Sequence, residues 1–240
     1  MVRLVEGDFE RETAYSDDPV GVAGTFADGG ATWIHVVDLD GARAGEPAQT
    51  ATIGAIVEAV VGRARCQVAG GLRSEAAVGA ALEAGAARVV VGTAAIRDPA
   101  FAGRLVGQHG ADRIVAALDI RDGLALGEGW RPGAQGVRPA DAMTALADNG
   151  VGTFAVTAIA RDGRMEGPDL DLLAALVALG RGRVIASGGT GSLDDLRRVR
   201  DVGCVGAIVG KALYEGRLDL GDAIAAMAVG EPSPSNPQSG

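Results

Sequence analysis

The 240-residue sequence is short of several residue types, and each shortage excludes something. Aromatic residues make up only 3%, so a core must be filled by Ala, Val, Leu and Gly. There are two histidines, His35 in Trp-Ile-His-Val-Val and His109 in Gln-His-Gly, too few to support a His-based metal site or a nucleophilic triad. The two cysteines, Cys66 and Cys204, are too few for a thiolate metal site and read as core thiols in a reducing compartment. Basic residues are in deficit, 22 Lys+Arg against 31 Asp+Glu, for a formal charge of −9. That balance argues against a nucleic-acid partner or an anionic membrane surface. No apolar run approaches the roughly 20 residues of a membrane span, and no charged-then-apolar leader opens the chain. The expectation is a soluble, cytoplasmic protein.

What the sequence has is an apolar content of 48% and 38 glycines, in short β-branched runs alternating with Ala/Leu-rich stretches. This is the pattern of βα units. Strands are expected at Trp33–Asp38, Arg65–Ala69, Arg88–Gly92, Ile114–Asp119, Thr153–Thr157, Arg183–Ser187 and Gly206–Gly210. They are apolar almost throughout, as strands covered on both faces should be. Helices are expected at Pro19–Asp28, Thr52–Val61, Ser74–Ala84, Pro99–Gly107, Pro139–Asn149, Leu170–Leu179, Leu193–Asp201 and Leu220–Met227. Asp18 before Pro19, and Ser192 with Asp195 three residues on, are start signals. Gly85, Gly150, Gly180 and Gly203 are stop signals. Residues 1–229 are expected to form one barrel domain, and 230–240 (GEPSPSNPQSG) a disordered tail.

An internal repeat organises the chain. Gly70-Gly71-Leu72-Arg73-Ser74 aligns with Gly188-Gly189-Thr190-Gly191-Ser192 at an offset of 118 residues. The same offset places Gly85 on Gly203 and Val91-Gly92-Thr93-Ala94 on Val209-Gly210-Lys211-Ala212. Two half-barrels built alike imply a (βα)₈ TIM barrel. Shifted back by 118, the strand at Ile114–Asp119 falls almost wholly ahead of Met1. The first canonical strand is therefore expected to be missing, exposing the edges at Trp33–Asp38 and Gly206–Gly210. Val2–Val5 or another chain would then cover the gap; a monomer is expected, with association possible through the incomplete edge.

Gly70-Gly71, Gly92-Thr93, Gly188-Gly189 and Gly210-Lys211 each lie between a strand and a helix. Glycine lets an oxyanion approach the backbone, and the following helix offers unpaired N–H groups. In a barrel the first two pairs would form one phosphate cup and the last two its counterpart, pointing to a small-molecule bisphosphate. Asp119 ends one strand and Asp162 follows another; Asp38 and Asp40 occupy the comparable position in the first half. A carboxylate in a partly buried mouth is suited to proton transfer. Asp40, before Gly41, reads as a turn residue rather than a catalytic one. Ser187, in Ala-Ser-Gly-Gly, reads as a phosphate ligand, and Trp130 as a wall over the substrate.

Taken together these residues resemble the ProFAR isomerases of histidine biosynthesis (phosphoribosylformimino-5-aminoimidazole carboxamide ribotide isomerases), including the actinobacterial bifunctional phosphoribosyl isomerase branch. The resemblance rests on Val2-Arg3-Leu4-Val5-Glu6-Gly7-Asp8-Phe9, His35-Val36-Val37-Asp38-Leu39-Asp40-Gly41-Ala42, Gly70-Gly71-Leu72-Arg73, Val91-Gly92-Thr93-Ala94-Ala95, Ala117-Leu118-Asp119, Arg161-Asp162-Gly163, Ala186-Ser187-Gly188-Gly189 and the run from Ile208 to Gly216. It implies an Amadori rearrangement of an aminoaldose to an aminoketose on a substrate with two phosphoribosyl ends. An acid opens the furanose ring, a base removes the C2 proton, and no metal or organic cofactor is required. By resemblance Asp119 and Asp162 are the acid candidates with Thr157 beside them, and Arg3 and the four glycine loops hold phosphates. The sister cyclase has a different segment after the second strand.

Two departures stand out. The family opens with a strand of the type Pro-Ala-Ile-Asp-Leu, whose Asp is the base, ahead of Val-Arg-Leu-Val. This sequence shows no such strand, which implies impaired turnover, or a catalytically inactive barrel serving as a phosphate-ligand binder or assembly partner. Members that also act in tryptophan synthesis tend to carry Arg-Gly-Trp where this chain has Glu128-Gly129-Trp130. A carboxylate there would repel an anthranilate carboxylate, so a single specificity is expected over a dual one.

Overall fold

The structure is a computed structural model that describes residues 2–5, 8–127 and 136–228, with side chains from residue 13 onward in those stretches. Trp130 and the tail at 230–240 lie outside the described residues, as does the side chain of Arg3. The chain begins with an antiparallel pair, β1 (Val2–Val5) and β2 (Asp8–Ala14), which the strand reading did not anticipate. Helix α1 (Pro19–Asp28) then leads to β3 (Trp33–Val37), α2 (Leu39–Ala44), α3 (Thr50–Ala59), β4 (Arg65–Ala69), α4 (Glu75–Glu83), β5 (Arg88–Val91), α5 (Thr93–Arg97) and α6 (Pro99–His109). The second part runs β6 (Ile114–Arg121), β7 (Leu124–Leu126), β8 (Gly136–Val137), α7 (Pro139–Asp148), β9 (Thr153–Ala158), α8 (Leu170–Ala178), β10 (Arg183–Ser187), α9 (Leu193–Asp201), β11 (Gly206–Ile208), α10 (Lys211–Tyr214) and α11 (Leu220–Met227).

Among the described residues seven parallel strands form a nearly closed barrel in the order β3-β4-β5-β6-β9-β10-β11, with the small strands β7 and β8 extending antiparallel from the end of β6. This is an α/β fold, as the alternation predicted. Period two governs the strands. Val89, Val91, Ile114, Ala116, Leu118, Phe154, Val156, Val184 and Ala186 face the helices and are buried with Leu82, Leu105, Met143 and Leu176. Their alternates, among them Val90, Val115, Ala117, Ala155 and Ile208, meet inside the barrel.

Local signals act as their chemistry requires. Asp18 accepts a hydrogen bond from the Gly21 N–H at the start of α1, with proline in its first turn. Ser192 and Asp195 form a reciprocal capping box on α9, which buries only Leu196 and Val199 of its nine residues. Gly85, Gly150, Gly180 and Gly203 all have positive φ just past their helices, a conformation that costs an L-residue a steric penalty.

The 118-residue offset holds in backbone geometry. Gly70 and Gly188 have φ of +100° and +85°; Gly71 and Gly189 have +71° and +84°. Gly92 (φ −112°, ψ −96°) matches Gly210 (φ −126°, ψ −81°), and Ser74 matches Ser192 as an extended N-cap. Among the described residues β3 and β11 are the two ends of the strand order and do not pair with each other. Val2–Val5 does not bridge them: it pairs with Asp8–Ala14 in a separate two-stranded sheet, which corrects the expectation that it would cover the gap.

Candidate active site

A cavity of about 2070 Å³ runs from the barrel mouth through its interior and out to α1 and α11. Asp119, Thr157, Asp162, Ser187, Gly70, Gly71, Gly92, Thr93 and Gly210 all line it. A small pocket beside it, about 20 Å³, is bordered by Asp162, Gly163, Gly188, Gly189, Gly210 and Lys211. The structure therefore gathers these residues at the C-terminal ends of the strands, the face from which barrel chemistry is done; the Arg3 side chain and Trp130 lie outside the described residues.

Register explains the grouping. Asp119 on β6 is the partner of Thr157 on β9, and Thr157 is the partner of Ser187 on β10. In a parallel ladder, partners point to the same face, so carboxylate and two hydroxyls form a row at the mouth. Thr157 is buried, while Asp119, Asp162 and Ser187 are half-buried. Each acid also lies beside a glycine of a different cup. A Cβ on Gly92 would stand 4.0 Å from an Asp119 carboxylate oxygen, and one on Gly188 would stand 3.4 Å from Asp162 Cα and Cβ.

Crowding also constrains the glycines themselves. A Cβ at Gly70 would lie 2.1 Å from the Asp38 carbonyl oxygen, at Gly71 2.6 Å from Glu46 backbone, and at Gly189 2.4 Å from the Gly167 oxygen. Packing alone therefore requires glycine at these three positions. At Gly92 the nearest neighbours are at ordinary distances, 3.4 Å and beyond, so no clash fixes glycine there. The Lys211 ammonium donates to the Gly163 carbonyl at 3.0 Å, tying β11's following turn to the loop that carries Asp162.

Asp38 stands apart from the other carboxylates. It is 2% exposed, and its two oxygens accept from three backbone N–H groups: Gly41 at 2.7 Å, Ala48 at 2.7 Å and Gln49 at 2.9 Å. It caps α2 and pins the returning loop, which occupies the lone pairs a base would need. Asp40 sits within α2 rather than in a turn, and accepts from the Gln49 side-chain amide at 2.7 Å. Sequence reasoning missed a polar row deeper in the same cavity. Arg88 Nε donates to Gln67 Oε1 at 2.5 Å, and Gln67 Nε2 lies 2.8 Å from His35 Nδ1. Strict period-two counting from Asp119 and Thr157 to their neighbours was the signal that would have turned these side chains inward. Cys66 and Cys204 are buried free thiols; burial raises both, Cys204 to about 11, so neither is a ready nucleophile. Among the described residues no group of three or more His, Cys, Asp or Glu could hold a metal ion, and no helix is long and apolar enough to cross a membrane.

A family model described as histidine biosynthesis protein matches residues 1–219. A curated relative from Roseiflexus sp. (strain RS-1) is 48% identical over 226 residues, covering 94% of each chain. Relatives from Herpetosiphon aurantiacus and Brevibacillus brevis are 44% and 43% identical over 93% and 94% of this chain, and 91% and 90% of their own. All three bear the name 1-(5-phosphoribosyl)-5-((5-phosphoribosylamino)methylideneamino)imidazole-4-carboxamide isomerase.

Proposed function

The chain belongs to the histidine biosynthesis protein family, among the ProFAR isomerases, and from that membership we propose that it carries out the Amadori rearrangement of the bis-phosphorylated aminoaldose ProFAR to its aminoketose. The observation that carries this reading is the placement of Asp119 and Asp162 on one cavity, each beside a glycine of a different cup. A substrate with a phosphate at each end, one in the Gly70-Gly71 and Gly92-Thr93 cup and one in the Gly188-Gly189 and Gly210-Lys211 cup, spans both carboxylates. Arg3 and Ser187 add phosphate contacts, and Trp130 covers the substrate. Asp119 or Asp162, with Thr157, delivers a proton to the furanose oxygen. The C1–O bond breaks, its electrons pass to that oxygen, and the amine nitrogen forms the protonated imine. Loss of the C2 proton gives the enolamine, which tautomerises to the ketose. The imine is the electron sink, so the step needs no cofactor. Residues 1–229 act as one barrel unit.

The base that takes the C2 proton is, in this reading, the Asp of a strand of the Pro-Ala-Ile-Asp-Leu type seated between β3 and β11. Such a strand completes the (βα)₈ architecture of two half-barrels and leaves the protein a monomer. A second reading is favoured by the unpaired β3 and β11 edges among the described residues: without that strand the barrel binds phosphate ligands and turns nothing over. Assaying ProFAR turnover by the 240-residue chain and by a form preceded by such a strand separates the two. A base contributes about 10²–10⁴-fold, so the extended form is expected to be faster by that order. Equal rates would place the base elsewhere on this chain. No turnover by either folded form, with a bisphosphate still raising Tm, would leave the binding reading alone.

A further inference from the structure

We propose that the end of the barrel opposite the mouth, the far end of the same cavity, holds a second anion site, in which Arg65, Arg88 and Arg183 bind a phosphate-class oxyanion beside Trp33. This does not rest on the isomerase reading. Trp33, Arg65, Arg88 and Arg183 are the first residues of β3, β4, β5 and β10, whereas Asp119, Thr157 and Ser187 stand at or near the far ends of their strands. The two sets therefore lie at opposite ends of the sheet.

The local charge is unbalanced. The guanidinium carbons of Arg65 and Arg88 lie 4.2 and 3.9 Å from the centroid of the same indole, so two like charges share Trp33. Arg88 donates its Nε to Gln67, and no carboxylate lies within 4.0 Å of Arg65 or Arg88 among the described residues. Arg183 donates Nε to Thr153 Oγ1 at 3.2 Å and Nη2 to Asp112 at 3.0 Å. The Asp112 side chain is 92% exposed, so that pair neutralises little. By contrast Arg63 pairs with Asp28 and Arg181 with Asp148, while Arg113 donates to the Leu82 and Ala86 carbonyls.

The consequence shows on Arg88, which burial and then the charges of Arg183 and Arg65 push down to about 10. An anion seated among the three guanidiniums would offset both the burial of Arg88 and the like charges around it. Guanidinium forks present paired N–H donors that match the oxygens of a tetrahedral oxyanion, which is why phosphate fits better than chloride.

The test uses Trp33 as the reporter. In a Trp130→Phe background the only indole is Trp33, and its emission is followed while inorganic phosphate is added against sodium chloride of equal ionic strength. A saturable change with phosphate and none with chloride is expected, lost in Arg88→Gln and weakened about tenfold or more in Arg65→Gln. Should Arg88→Gln fail to fold, Arg65→Gln, an exposed position, carries the comparison. An identical response to chloride, an undiminished response in Arg65→Gln, or no saturable response at all would overturn the site.

Discussion

The loops that follow β4 and β10 have the same backbone and different duties for their nearest carboxylate. Both run through two positive-φ glycines into a serine N-cap, residue for residue at one offset. Against the first lies the carbonyl of Asp38, whose side chain is fully engaged by backbone N–H groups. Against the second lies Asp162, half-buried and on the cavity. Chain geometry is thus repeated while chemistry is not: one half uses its acid to hold a loop, the other presents it to the mouth.

The largest expected effect breaks that partition directly. In a form that turns over ProFAR, Asp162→Asn and Asp119→Asn should each lower turnover, about 10²–10⁴-fold for the one that serves as acid, with little change in Tm. Asp38→Ala should do the reverse. It strands three N–H donors, two of them partly buried, and hydrogen bonds to charged groups contribute about 1.5–3 kcal/mol each, so a loss of at least about 3 kcal/mol is expected in urea unfolding. If Asp38→Ala kept its stability and lost turnover instead, Asp38 would be a catalytic acid or base and the comparison would fail.

A sharper test keeps the chemistry constant. Gly70→Ala and Gly188→Ala introduce the same methyl at matched positions with φ of +100° and +85°. Both carry the cost of an L-residue at positive φ, about 1–2 kcal/mol. At Gly70 the new carbon also meets the Asp38 carbonyl oxygen at 2.1 Å, whereas at Gly188 the nearest atom, the Ala158 oxygen, is 3.3 Å away. Gly70→Ala is expected to cost about 2 kcal/mol more, read as the difference in unfolding free energy. Equal costs would mean that the β3–α2 turn yields as easily as the β9 turn.

The same pair of halves shows which features were legible in the sequence. Arg65–Ala69, Arg183–Ser187, Leu193–Asp201 and Leu220–Met227 appear with the expected bounds because their signals are local: β-branched runs, serine and aspartate caps, stop glycines. The positions of Asp119, Thr157 and Ser187 were legible too, since a strand's last residues must reach the mouth. What was not legible depends on contacts distant in sequence. Asp38 is taken up by N–H groups ten and eleven residues away, on a loop whose return no local pattern announces. Lys211 turns to the Gly163 carbonyl, 48 residues away, for the same reason. The short helix at Leu39–Ala44 is absent from the expected helices, because Asp40-Gly41 is turn-like by itself; its cap, Asp38, decides otherwise. The inward row of His35, Gln67 and Arg88 was hidden by strands that look apolar throughout.

The smallest expected effect is an equality. Gly85 and Gly203 end α4 and α9 with φ of +98° and +96°, and a Cβ on either meets a valine methyl of the preceding βα unit: Val57 at 2.8 Å, Val177 at 2.9 Å. The glycines are 118 residues apart and the valines 120, so the connection between them differs in length while the contact is the same. Packing, rather than local spacing, therefore fixes the equivalence. Each glycine-to-alanine change should cost about 1–2 kcal/mol from the positive φ, plus the same further cost at both sites for displacing a β-branched valine side chain that has little rotamer freedom to yield. The two costs should agree within about 0.5 kcal/mol and add in the double variant, as independent sites do. A difference well beyond that, measured by urea unfolding of the two single variants, would show that the halves match in dihedral angles and not in packing.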